Sequence, residues 1–121
     1  CDDVQTKQTI HEIYEKYSYT CDTHTAVAVK VYEDYKKETG DTTKTIIAST
    51  ASPYKFSASV LEAVQNKKSD LDEYDMIDKL AELSKMPVPS ALADLKNKPE
   101  RFNDTIAKED QKKYVLETLG I

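Results

Sequence analysis

Residues 44–50, Lys-Thr-Ile-Ile-Ala-Ser-Thr, are the one stretch of this chain suited to an extended strand. Thr45, Ile46 and Ile47 are β-branched, turn-forming residues bound the run, and it is too short for a helix. The sequence on either side carries helical spacing. A strand without partners leaves its backbone N–H and C=O groups unpaired, and no second convincing strand is present. The chain is therefore expected to be mainly α-helical with one short strand near 44–50. That strand is either a minor element or part of a sheet completed by sequence outside these residues.

Ile10, Ile13, Tyr14 and Tyr17 fall at i, i+3, i+4 and i+7, which predicts an amphipathic helix over 4–18. Ala28, Val31, Tyr32 and Tyr35 repeat the spacing, with a start signal in Asp22-Thr23-His24-Thr25 and a stop at Gly40. The short link between these helices makes them packed neighbours, a helix pair over 4–40. Aromatic residues at such spacing usually pack, so Tyr14, Tyr17, Tyr32 and Tyr35 are expected at interhelical contacts. After the strand, Ser52 and Pro53 supply a cap and a first-turn proline for a helix carrying Phe56, Val60, Leu61 and Val64, giving a strand-turn-helix unit over 44–66. C-terminal helices are expected over 70–121. One carries Met76, Ile77, Leu80 and Leu83, and Met86-Pro87-Val88-Pro89 interrupts the pattern after it.

Charge and length narrow the function. The net charge is -5 and the basic residues are interleaved with acidic ones, so the concentrated basic stripe that nucleic-acid binding needs is missing. No apolar run approaches the ~20 residues of a membrane span, and no secretory leader opens the chain, so no membrane partner and a cytoplasmic location are expected. Two cysteines are too few for a disulfide framework and are expected to be reduced thiols. The chain begins Cys1-Asp2-Asp3-Val4, without methionine and directly into a helical pattern, which suggests a fragment of something larger.

Ser49 to Ser52 follow the strand and precede a helix. In open α/β sheets that is where ligands meet helix N–H groups. Small hydroxyl residues there could hydrogen-bond a cofactor and leave room for a flat ring, although on the residues alone capping of the Pro53 helix is the favoured reading. Cys21 and His24 lie three apart, but His11 is the only other histidine, so a four-ligand metal site is hard to assemble and no metal is expected. A Cys-His nucleophilic pair is similarly weak on local proximity alone. Lys55 is a candidate anion partner or a plain surface lysine. The acidic run Ser69 to Lys79 reads as a solvated helix face.

Asp22-Thr23-His24-Thr25-Ala26-Val27-Ala28 and Ser49-Thr50-Ala51-Ser52-Pro53-Tyr54-Lys55-Phe56, at their spacing, resemble the C-terminal region of the threonine synthase family. Those enzymes depend on pyridoxal 5'-phosphate and have the α/β fold of the tryptophan-synthase-β type, known as fold type II. Two departures stand out, Thr23 in place of proline and Ser52 in place of a frequent histidine. The segment Met86 to Phe102 extends the likeness over essentially the whole chain. The resemblance implies that Thr50, with Ser49 beside it, binds the cofactor, the Thr50 hydroxyl meeting the pyridine nitrogen. A neutral hydroxyl leaves the ring less electron-withdrawing than a carboxylate would, which suits elimination and replacement chemistry.

The implied small-molecule reaction converts O-phosphohomoserine and water into threonine and phosphate, with His24, Ser52 and Lys55 near the substrate pocket. The Schiff-base lysine and the Gly-rich phosphate loop are expected upstream of Cys1, so these residues hold no catalytic group and should be inactive alone. Two other readings stand beside this one, a stand-alone helical interaction module and a different lyase of the same cofactor class, such as a dehydratase. A fragment would also leave apolar surface around Ile46, Ile47, Val27 and Val31, which self-association could cover.

Overall fold

The computed structural model describes all 121 residues. Helix α1, Asp3–Tyr17, starts at a reciprocal cap: the Gln5 backbone N–H donates to the Asp2 carboxylate at 2.8 Å, and the Asp2 N–H donates to Gln5 Oε1 at 3.0 Å. It stops where Ser18 turns left-handed, with φ 51°. Helix α2, Thr23–Thr39, runs from Asp22 to Gly40. A Cβ on Gly40 would meet nothing within 4 Å, so glycine is favoured there by its φ of +68° and not by lack of space. The paired helices expected over 4–40 are thus present and packed on one another.

The strand expected near 44–50 does not form. Residues 40–50 have no regular secondary structure, and Ile46 is 96% exposed. The physical reason is the one that made the strand precarious: its backbone groups find no neighbouring strand, so β-propensity has nothing to act on. Local side-chain bonds shape the start of the segment instead, with the Thr43 N–H donating to Asp41 at 2.8 Å and the Tyr35 hydroxyl donating to the same carboxylate at 2.9 Å.

Ser52 and Pro53 do open a helical turn, but it is a 3-10 turn over Pro53–Phe56 that leads into α3, Ser57–Gln65. Tyr54 anchors the turn. Its ring is buried and its hydroxyl donates to the Met86 carbonyl at 2.6 Å, tying the turn to the chain just beyond helix α4, Glu73–Ser84. Helix α3 is the centre of the molecule and packs on both α1 and α4. Its Val60, Leu61, Ala63 and Val64 join Ile10 of α1, Ala26 of α2 and Ile77 and Leu80 of α4 in one core. Three polar links lie around that core. Lys7 pairs with Glu62 at 2.6 Å, His11 Nδ1 lies 3.1 Å from the Ala63 carbonyl, and the Tyr14 hydroxyl donates to the Leu83 carbonyl at 3.2 Å.

Beyond Leu80 no residue is fully buried. Met86, Val88 and Leu92 still rest against the core as the chain passes its prolines into the single turn α5, Ser90–Ala93. Helix α6, Gln111–Leu119, ends at Gly120 and is fastened locally by the Tyr114 hydroxyl, which donates to Asp104 at 2.6 Å. Two of the four tyrosines expected between helices lie on the surface instead, Tyr17 at 64% and Tyr35 at 48% exposure. For Tyr35 the reason is that α2 buries its first turn, at Thr25 and Ala26, and leaves Val27, Val31 and Tyr35 facing outward. No helix is long and apolar enough to cross a membrane.

Candidate functional site

The polar centre of the molecule is the start of α2. Asp22 is its N-cap and is completely buried. Its Oδ1 accepts from the backbone N–H groups of His24 at 2.9 Å and Thr25 at 3.2 Å, which satisfies two of the donors a helix start leaves free. Its Oδ2 accepts from the Thr25 hydroxyl at 2.5 Å and lies 3.4 Å from Ser49 Oγ, itself 3.2 Å from Thr25 Oγ1. Burial pushes the carboxyl up. The bonds from Thr25 and His24 more than offset this and hold it below the usual carboxylate range.

Ser49 therefore reaches the structure through Asp22 and Thr25, and the exposed Thr50 follows it directly. Two residues on, the half-buried Ser52 accepts from the Tyr54 N–H at 3.3 Å and caps the 3-10 turn. Lys55 lies on the surface. His24 is also exposed. Its Nδ1 lies 3.5 Å from Asp22 Oδ1, and its ring stands 5.0 Å from that of Phe56 at 53°. These two rings, with Lys7, Val27 and Ser59, line an open groove of about 540 Å³. The fold thus brings His24 and Phe56 together at the groove and Ser49 onto Asp22, while Thr50, Ser52 and Lys55 lie outside the groove lining.

Cys21 and His24 form no nucleophilic pair. The thiol is 1% exposed, and burial, reinforced by the Asp22 charge, pushes it up to about 11. Such a group is a small core residue at neutral pH. By local pattern alone, Asp22 and Thr25 mark a helix start. Asp followed three residues later by Thr is an ordinary capping pattern, and it carries no local sign that residue 49 will fold onto it.

A family model described as threonine synthase, C-terminal, matches residues 25–115. No curated protein matches the chain.

Proposed function

The chain belongs to the threonine synthase C-terminal family, and from that premise we propose that it is the C-terminal portion of an enzyme converting O-phosphohomoserine and water into threonine and phosphate. The observation that carries this is the extent of the family match. It runs from Thr25 through residue 115 and so takes in Thr25 to Ala28, the 49–56 motif and the following helices as one continuous unit. The enzyme as a whole is a lyase and takes part in threonine biosynthesis. The family uses pyridoxal 5'-phosphate, which when bound supplies an electron-accepting ring for elimination and replacement chemistry.

The residues present suit one end of that cofactor. Thr50 offers an exposed neutral hydroxyl at the end of the 44–50 segment, a fitting hydrogen-bond partner for the pyridine nitrogen. They do not supply the other end. The two glycines, Gly40 and Gly120, both cap helix C-termini, so neither belongs to a Gly-rich phosphate loop. The Schiff-base lysine likewise belongs to sequence beyond these residues, since Lys55 matches a different position of the family pattern. Of the three pocket candidates, His24 has its imidazole exposed beside Phe56 at the groove. Ser52 and Lys55 flank it along the chain, the Ser52 oxygen already engaged as a cap.

Unaided, the chain is then catalytically silent, and its open Val27, Val31 and Ile46 surface favours self-association. Two measurements test the proposal. Titrating pyridoxal phosphate into the chain should give no tight, saturable change in absorbance. Joining the chain to a polypeptide that carries the lysine and phosphate loop should give phosphate release from O-phosphohomoserine. Tight binding by the chain alone contradicts the division of the site, and turnover of another substrate in preference contradicts the reaction.

A further inference from the structure

Residues 40–50 lack regular structure, yet their far end is anchored, and the anchor is a buried carboxylate on another element. Helix α2 needs only one oxygen of Asp22 for its cap, the one taken by the His24 and Thr25 N–H groups. Serine or asparagine would cap equally well without burying a charge. The second oxygen, Oδ2, is turned toward Thr25 Oγ1 at 2.5 Å and toward Ser49 Oγ at 3.4 Å, 27 residues away along the chain. The Thr25 proton is committed to the carboxylate, so the Ser49 hydroxyl is the donor that joins the pair, within reach of Oδ2 at 3.4 Å and of Thr25 Oγ1 at 3.2 Å.

We propose that Asp22 is a positioning residue for Thr50, acting through Ser49 to fix the end of the 44–50 segment so that the Thr50 hydroxyl is held at a defined place. The inference rests on the threonine synthase reading for what Thr50 would meet there, but the linkage itself is a property of the chain without cofactor. Thr50 is exposed and follows a segment with no ladder to hold it, so the Ser49 side chain is its nearest fixed point. The other ionisable groups facing Asp22 are the His24 imidazole, 3.5 Å from Oδ1, and the buried Cys21 thiol. Neither lies on the Ser49 side, where the contacts to Oδ2 come from two neutral hydroxyls.

The test is an NMR pH series on the cofactor-free chain, following the Asp22 carboxyl carbon and the amides of His24, Thr25, Ser49 and Thr50. All four amides should share the carboxyl's midpoint. Ser49→Ala should abolish that midpoint at Thr50 and leave it at His24 and Thr25, whereas Ser49→Thr, which keeps the hydroxyl, should retain it. Should acid unfold the chain, 15N order parameters at pH 7 probe the same linkage: Ser49→Ala lowers them at Thr50 but not at Thr25. A carboxylate that only caps α2 would move His24 and Thr25 alone. That result, or a Thr50 response unchanged in Ser49→Ala, overturns the proposal. No cofactor enters this measurement, so its failure is distinct from failure of the turnover assay.

Discussion

Replacing Asp22 with alanine is the sharpest perturbation the structure offers. Loss of an N-cap costs about 1 kcal/mol. The substitution also takes the 2.5 Å charged acceptor from the Thr25 hydroxyl, in a residue only 7% exposed, and leaves it the longer 3.2 Å contact with Ser49 Oγ, which adds about 1 kcal/mol. The expected destabilisation is therefore about 2 kcal/mol, a fall in Tm of roughly 8 °C for a domain of this length. Asp22→Asn keeps the capping oxygen but loses the charge and sets an NH2 donor where Oδ2 accepts, so that the Thr25 hydroxyl must turn to accept; it should cost about 1 kcal/mol. The pH dependence separates the two effects. Hydrogen bonds hold the folded carboxyl below its unfolded value, so its contribution is complete above an unfolded pKa of about 3.9 and lost as pH falls through the folded value. Urea melts followed by circular dichroism should show a gap between the native chain and Asp22→Asn that is full at pH 7 and closes below about pH 4. An alanine variant within 0.5 kcal/mol of the native chain, roughly the spread of neutral surface changes, would refute this reasoning. So would an asparagine gap that ignores pH.

Three further outcomes follow from burial. The exposed Cys1 should react with a thiol reagent at pH 8 while Cys21, whose thiolate fraction there is about one in a thousand, stays unmodified until denaturant is added; equal rates would contradict its burial. Thr20 Oγ1 is buried without a hydrogen-bond partner, so Thr20→Val should leave the urea midpoint unchanged or raise it, and a clear fall would mean that the hydroxyl has a partner. Leu61 is fully buried in the core where α3 meets α1 and α4, and Leu61→Ala should cost about 3 kcal/mol by the same melts, far more than any change at the exposed Phe102.

The helices are legible in the sequence because their signals are local. Apolar spacing and caps place α1 and α2 within a residue or two, and Gly40 stops α2 as its freedom at positive φ predicts. Ser52-Pro53 is the cap its composition suggests, although the turn it starts is 3-10 before it becomes α-helical. Residues 44–50 mislead because β-branching reports how a residue sits in a sheet and cannot supply the sheet. Ile46 keeps the composition of a strand and none of its contacts. Val27, Val31 and Tyr35 of α2 are uncovered as well. At the site, the resemblance singles out Ser49 and Thr50, but the long-range bond from Ser49 to Asp22 has no counterpart in spacing or composition and is visible only once the chain is folded.

The most direct test of the account is turnover of O-phosphohomoserine by an enzyme assembled from this chain and a polypeptide that carries the lysine and phosphate loop, with Thr50 intact and with Thr50→Val. Loss of one hydrogen bond to the cofactor ring, worth about 1.5 kcal/mol, should lower kcat by roughly tenfold while the chain's own stability is unchanged. An assembled enzyme that is equally active with valine at position 50, or that releases no phosphate from O-phosphohomoserine, would contradict it.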